Sequence, residues 1–399
     1  MKILSKILFL GIGLLTIPSA FAEKNEGTEE SYIANGCEVP CPPKPCCPPV
    51  CFERGYPTDP CCTNAAYNEP ASFDLAPCSW EYWADVSFTY WIAEQQGMDL
   101  AFSTVENAAG TVLTPASGKY LFQETSFKPG FKLGLGADIG HDNWNFFSEY
   151  TWFRSTTLVN TSAPGDSRVG TPLAPGGTSV WNMRNWADAR ATTVSSSWRL
   201  KMDLLDVGLS RPFYQGTHLI VAPFGALRGL WIRQLLDISL STNTNPVGSG
   251  RLPVSSGNRS HSWAVGPCAG LQGKWHLGYG VRIEGDVAGS VLFTRYTKVT
   301  HSQTPFTSAD ASFNGSQSIV RFTDYDCLRA TTEMNVGLGW GRYLDCRNYH
   351  WDILASYDLQ VFWNQNMLRQ LVDSLNAGTG HAPSNLYLHG LTLATRLDF

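Results

Sequence analysis

The chain has 399 residues and a net charge of -5, and only 16% of its residues are charged, against about 25% in soluble proteins. So mild a charge, with no basic block, argues against a nucleic-acid partner. After the first 22 residues no apolar run reaches the roughly 18 residues of a helical span, whereas low charge and 14 tryptophans suit a transmembrane β-barrel.

Residues 1–22 read as a secretory signal peptide. Lys2 and Lys6 form the positive end, Ile7 to Ile17 the apolar stretch, and Ala20-Phe21-Ala22 a small-x-small cleavage site. The apolar stretch is too short to act as a membrane anchor. No cysteine follows the site, so a lipoprotein is not indicated. Residues 23–78 read as a disordered, periplasmic, Cys/Pro-rich segment. Eight of the 11 cysteines fall here: Cys37, Cys41, Cys46, Cys47, Cys51, Cys61, Cys62 and Cys78. Interleaved prolines, from Pro40 to Pro49, exclude helix and central strand and favour an extended, solvated chain. Export places these thiols where disulfides persist. Adjacent cysteines such as Cys46-Cys47 and Cys61-Cys62 seldom bond each other without strain, so each seeks a separate partner. Two readings stand side by side: cross-links to other envelope proteins or to a second copy of the chain, and local disulfides stapling a small knot. No metal is expected, since paired C-x-x-C spacing and histidines are both missing from the segment.

From residue 79 to 399 the side chains alternate with a period of two, which sends successive residues to opposite faces of a strand. In 79–91, Trp80, Tyr82, Ala84, Val86, Phe88 and Tyr90 oppose Glu81, Asp85, Ser87 and Thr89. In 263–277, Trp263, Val265, Ala269, Leu271, Trp275 and Leu277 oppose Gly266, Gly270, Gln272, Lys274 and His276. In 281–293, Val281, Ile283, Val287, Val291 and Phe293 oppose Arg282, Glu284, Asp286 and Ser290. In 329–342, Met334, Val336, Leu338 and Trp340 oppose Arg329, Thr331, Glu333 and Asn335. In 349–364, Trp351, Ile353, Ala355, Tyr357, Leu359, Val361 and Trp363 oppose His350, Asp352, Ser356, Asp358, Gln360 and Asn364, a polar face interrupted by Leu354 and Phe362. An apolar face with aromatic ends opposite a polar face is what a membrane barrel needs, with lipid outside and water inside.

Short connections near 141–143, 214–216, 277–279 and 345–348 alternate with long ones near 94–117, 161–189, 242–258, 302–316 and 366–384. That is the barrel habit of short periplasmic turns and long outer loops. It predicts an all-β, antiparallel, up-and-down barrel of about ten strands with both termini periplasmic. If pieces such as 117–124 or 317–326 pair into the wall, the count becomes 12 to 16. In the last long loop, Met367, Leu368, Leu371, Val372 and Leu375 have helical spacing. They predict a helix that folds into the barrel mouth or caps its rim.

The final strand sets Leu391, Leu393, Leu397 and Phe399 against Thr392, Ala394, Arg396 and Asp398. A terminal Phe on an alternating strand resembles the sorting signal read by the outer-membrane insertion machinery. Two further stretches carry a family resemblance: Trp198 through Asp206, Gly208, Leu209 and Arg211, then Leu219 through Pro223, Gly225, Leu227 and Arg228. An acidic–hydrophobic–glycine strand, a tight turn and a proline–glycine–arginine strand resemble the major-outer-membrane-protein-like porins of legionella-type and chlamydia-related bacteria. The cysteine-rich front resembles the disulfide-linked envelopes of chlamydia-like bacteria. The resemblance implies a pore for small hydrophilic solutes, and no cofactor.

The first functional reading is therefore an outer-membrane porin for small solutes or ions. Lys274, Arg282, Glu284, Asp286, Arg329, Glu333, His350, Asp352 and Asp358 are its candidate lining. Ten strands lie near the filled end of the barrel range. Inward glycines at 134, 136, 266, 270, 337, 339 and 341 would widen such a pore. The same charges could instead pair and plug the lumen, leaving a structural or adhesive protein held by its cysteines, with Cys346 joining from a periplasmic turn. Cys268 and Cys327 share the lumen face but sit about eight residues, or roughly 25 Å, apart in height, which argues against a direct bond. His301, His381 and Asp310 fall in loops without a catalytic constellation, so no enzyme is expected.

Overall fold

A computed structural model of the chain describes residues 81–104, 118–139, 144–162, 168–170, 173–174, 178–179, 181, 193–216, 218–241, 254–303, 318–344, 349–377 and 384–399. The signal peptide, the cysteine-rich segment, Cys346, Asp310 and His381 lie outside the described residues. No described helix is long and apolar enough to cross a membrane.

Ten antiparallel strands form the wall. They are β1 (Glu81–Gln95), β2 (Lys128–Asp138), β3 (Asn145–Ser162), β4 (Thr193–Ser210), β5 (Leu219–Ser241), β6 (Val254–Gly278), β7 (Val281–Gln303), β8 (Tyr325–Leu344), β9 (Tyr349–Asn366) and β10 (Ser384–Asp398). Each pairs with its neighbour in sequence, and β1 pairs with β10, so the barrel is closed. The first and last strands seal it: Tyr82 and Phe399 exchange two backbone hydrogen bonds of 2.9 Å.

The pairing also fixes the tilt. From Trp231, successive partners are Asp203, Trp152, Phe131, Phe88, Leu393, Ala355, Leu338, Ile283 and Trp275, and the row returns to β5 at Leu219. That displacement of twelve residues around ten strands corresponds to a strand tilt of roughly 40°.

Outward side chains form two aromatic bands. At the short-turn end lie Tyr82, Trp144, Phe213, Trp275, Trp340, Trp351 and Phe399. At the loop end lie Phe127, Trp231, Trp263, Phe293, Trp363 and Tyr387. The stretches Trp351 to Trp363 and Trp263 to Trp275 each run roughly 40 Å along the strand, or roughly 30 Å along the barrel axis, which is the thickness of a hydrocarbon core. Strands β5, β6 and β7 continue to Ser241, Val254 and Gln303, well above the loop-end band. The loop expected near 242–258 is therefore shorter than the sequence suggests, whereas the one expected near 302–316 runs from 304 to 324 and contains Ser318–Phe322, and His301 lies in β7 rather than in a loop.

The two candidate extra strands stay out of the wall. Gly118–Phe122 joins a small sheet with Asp99–Thr104 and Arg168–Gly170. Ser318–Phe322 pairs only with the projecting end of β7. The helix expected after β9 is present as α1 (Met367–Ala377). Its start is fixed by Asn366, whose side-chain oxygen accepts the Arg369 amide at 3.2 Å as an N-cap.

Candidate functional site: the barrel lumen

The lumen has two zones. Beneath the loop end it is apolar. Trp91, Phe153, Trp198, Leu200, Leu204, Leu230, Ile232, Leu236, Phe362, Leu386 and Leu388 point inward and form one buried cluster. Leu368 and Val372 of α1 complete it, while Met367 and Leu371 pack against Tyr296 and Val299. These four helix positions follow the i, i+1, i+4, i+5 pattern of a helix with one buried stripe. Polar ties hold α1 in place: Arg369 meets Asp99 at 2.9 Å, and Asn366 donates to the Gln96 carbonyl at 2.7 Å.

The short-turn half is a polar chamber of about 300 Å³, lined by Asp85, Lys132, Glu149, Asp206, Lys274, Arg282, Glu284, Asp286, Glu333, Asp352, Asp358 and Arg396. Two ion pairs cross the lumen. Arg228 of β5 holds Asp206 on the adjacent β4 and reaches Glu333 on β8, both at 2.7 Å. Lys132 of β2 reaches Asp358 on β9 at 3.3 Å, beneath the Trp91 ring. Nearer the short turns, Arg282 lies between Glu284, at 2.5 Å, and Asp352.

Of the nine sequence-nominated lining residues, Lys274, Arg282, Glu284, Asp286, Glu333, Asp352 and Asp358 meet in this chamber. Arg329 sits higher, under α1, 3.3 Å from the Met367 sulfur. His350 is buried at the short-turn end, 3.2 Å from Asp398. Asp85, Lys132, Glu149, Asp206, Arg228 and Arg396 were not nominated, although alternation alone places Asp85 on the polar face of its strand. Cys268 and Cys327 are both free thiols.

The inward glycines do not open the pore. A Cβ on Gly136 would lie 2.3 Å from the Trp83 ring, one on Gly270 2.4 Å from Phe224, and one on Gly339 2.9 Å from the Arg282 guanidinium. A neighbouring strand's large side chain fills the room that these three leave, and at Gly266 and Gly337 the neighbouring backbone does so.

The ten strands of this closed barrel, banded by aromatics and charged within, lie between Glu81 and Asp398. Residues 75–399 match the family model described as Legionella pneumophila major outer membrane protein precursor. The chain belongs to this family. The chain is thus a lipid-embedded barrel of the outer membrane. No curated protein matches the chain. Solved structures that are similar include the following three. The outer membrane protease OmpT of Escherichia coli has 10% identity and a TM-score of 0.36, covering 83% of this chain and 99% of that one. A major outer membrane protein of Thermus thermophilus has 11% identity and a TM-score of 0.29, covering 80% and 100%. The toluene transporter TodX of Pseudomonas putida has 10% identity and a TM-score of 0.26, covering 84% and 92%. At such scores these likenesses carry no argument about activity.

Proposed function

We propose that the protein is an outer-membrane porin passing small hydrophilic solutes or ions by passive diffusion, and that the conformation described above is its closed state. The charged chamber carries this reading. Ionisable side chains at membrane depth are expensive and mark water-filled paths. A barrel serving only as a strut could be filled with apolar side chains throughout, as this one is at its mouth. The gate is α1 with the cluster beneath it, because Leu368 and Val372 close the zone that separates the chamber from the long loops. Leu391, Leu393, Leu397 and Phe399 face outward on the last strand, where the insertion machinery would read them.

Single-channel recording in a planar bilayer tests this. The expected result is brief, discrete steps that scale with salt, and much longer openings for the Leu368→Ser/Val372→Ser variant. The second reading is a structural or adhesive barrel, and the two ion pairs that cross the lumen favour it. Silence from both proteins, with insertion verified separately, would select that reading.

A further inference from the structure

The outward face of the barrel changes character just above the loop-end aromatic band. Arg154 of β3 is paired with Lys201 of β4, Lys201 with Arg233 of β5, Arg233 with His261 of β6, and His261 with Lys298 of β7. Alternation points Arg154, Lys201, Arg233 and His261 away from the lumen, and a bulge in β7 between Tyr296 and Lys298 brings Lys298 to the same face opposite His261. They form one row of basic residues on five adjacent strands, spaced by roughly 4.8 Å. One step further out on the same face, Arg199 and Arg259 flank Leu235. One step closer to the membrane, the row reads Trp152, Asp203, Trp231, Trp263 and Arg295. Because the strands tilt, the basic row climbs by roughly 3 Å per strand and stays within roughly 12 Å of the Trp231 level.

Like charges on directly opposed strand positions destabilise a sheet. Carboxylates offset little of this. Arg154 pairs with Asp203 at 2.7 Å and Arg199 with Asp237 at 3.1 Å. Among the described residues, Lys201, Arg233, Arg259 and Lys298 have no carboxylate within ion-pair distance. The His261 imidazole is held below its usual range by burial and by Arg233, Lys298 and Arg259, as expected inside a field of positive charge. On the other half of the barrel, outward positions at this height include Glu94, Asn385 and Leu328. The charge is therefore local to β3–β7.

We infer that this row is a docking surface for a phosphorylated glycolipid of the outer leaflet, with Lys201, Arg233 and Lys298 binding its headgroup phosphates and the Trp152–Trp231–Trp263 row packing against its acyl chains. Charge and position both favour this occupant. Lys and Arg form strong charge-assisted hydrogen bonds to phosphate, and aromatic girdles mark the level at which headgroups begin. The inference depends on the loop end facing outward and does not depend on whether the barrel conducts.

The test uses the full chain refolded in detergent and titrated with bis-phosphorylated lipid A or with its enzymatically dephosphorylated form, with binding read by native mass spectrometry. Wild type should retain the phosphorylated lipid and release the dephosphorylated one. Lys201→Gln/Arg233→Gln/Lys298→Gln should bind the phosphorylated lipid about 100-fold more weakly, at roughly fivefold per cation, with circular dichroism showing an intact barrel. Equal retention by the triple variant, or equal retention of both lipids by wild type, would overturn the inference. A Lys201→Arg variant should keep full binding, and its failure to do so would count against phosphate recognition.

Discussion

Arg228 and Glu333 meet at 2.7 Å across the lumen, from strands three places apart in the wall. With Asp206 held at the same distance, the guanidinium straps strands that do not pair with each other across the roof of the polar chamber. Arg228→Met would leave two carboxylates facing each other in a confined site. Removing one partner of a buried ion pair costs about 3–5 kcal/mol. The urea midpoint of the refolded barrel should fall accordingly, and Arg228→Met/Glu333→Gln should recover part of the loss. An unchanged midpoint for the single variant would mean the strap contributes nothing.

Gly136 and Trp83 make a local prediction. The indole lies where a Cβ on Gly136 would sit, and it also stacks under the Arg396 guanidinium, 4.2 Å from the ring centre. Gly136→Ala must push the indole into the chamber, losing a cation–π contact of about 0.5–2 kcal/mol and reducing conductance. Gly273→Ala and Gly289→Ala serve as controls, because a Cβ there meets nothing closer than 3.7 Å. These should leave stability unchanged or raise it by about 0.5–1 kcal/mol.

The start of α1 can be probed separately from its apolar stripe. Asn366 caps the helix and ties it to the Gln96 carbonyl. Asn366→Ala should weaken the helix by about 1 kcal/mol without altering the barrel wall. Limited proteolysis should then cut between 367 and 383 faster than in wild type while the rest of the barrel remains resistant. Cutting at the wild-type rate would show that the cap does not hold the helix.

Alternation exposes the strands because lipid and lumen demand opposite chemistry, as in Trp351 to Trp363. It reveals two faces but not which of them is outside. On β4, Trp198, Leu200, Met202 and Leu204 form an apolar face that points inward, while Arg199, Lys201 and Asp203 point outward. Only the register, which lifts this part of β4 to the level of Trp231 and above, reverses the sense. The glycine positions were legible for a similar reason, and their effect was not. That Gly339 makes room for Arg282 rather than for water is a relation between strands, absent from either strand alone. Lys132 on β2 shares the parity of the inward Gly134 and Gly136 and was legible in the same way, whereas Glu149 on β3 follows Phe147 and Ser148, where alternation breaks down.

The cysteines divide into two groups with different expectations. Cys268 and Cys327 are free within the barrel. The cross-linking reading of the remaining cysteines predicts a ladder of oligomers from full-length protein without reductant, collapsing to monomer with it. Cys268→Ser/Cys327→Ser should leave the ladder intact, and serine at all eight cysteines from Cys37 to Cys78 should abolish it. Monomer alone in unreduced wild type would sink the cross-linking idea.

Acid should loosen the mouth before the membrane-spanning wall. His301 lies fully buried in the projecting end of β7, its Nδ1 2.7 Å from the Asn258 side-chain oxygen. Burial pushes its pKa down to about 4 from the usual 6.5. The unfolded segment takes up a proton as pH falls through 6.5, while the folded one resists until about 4. The stability held by the neutral ring is therefore complete above pH 6.5 and is lost progressively towards pH 4, by about 3 kcal/mol at about 1.4 kcal/mol per unit. Amide protection factors in 254–262 and 294–303 should drop between pH 7 and pH 5, while those in 281–292 hold. His301→Gln, which keeps a polar partner for Asn258 and cannot titrate, should remove the drop. Equal protection at both pH values in wild type would show that the buried imidazole does not control this end of the barrel.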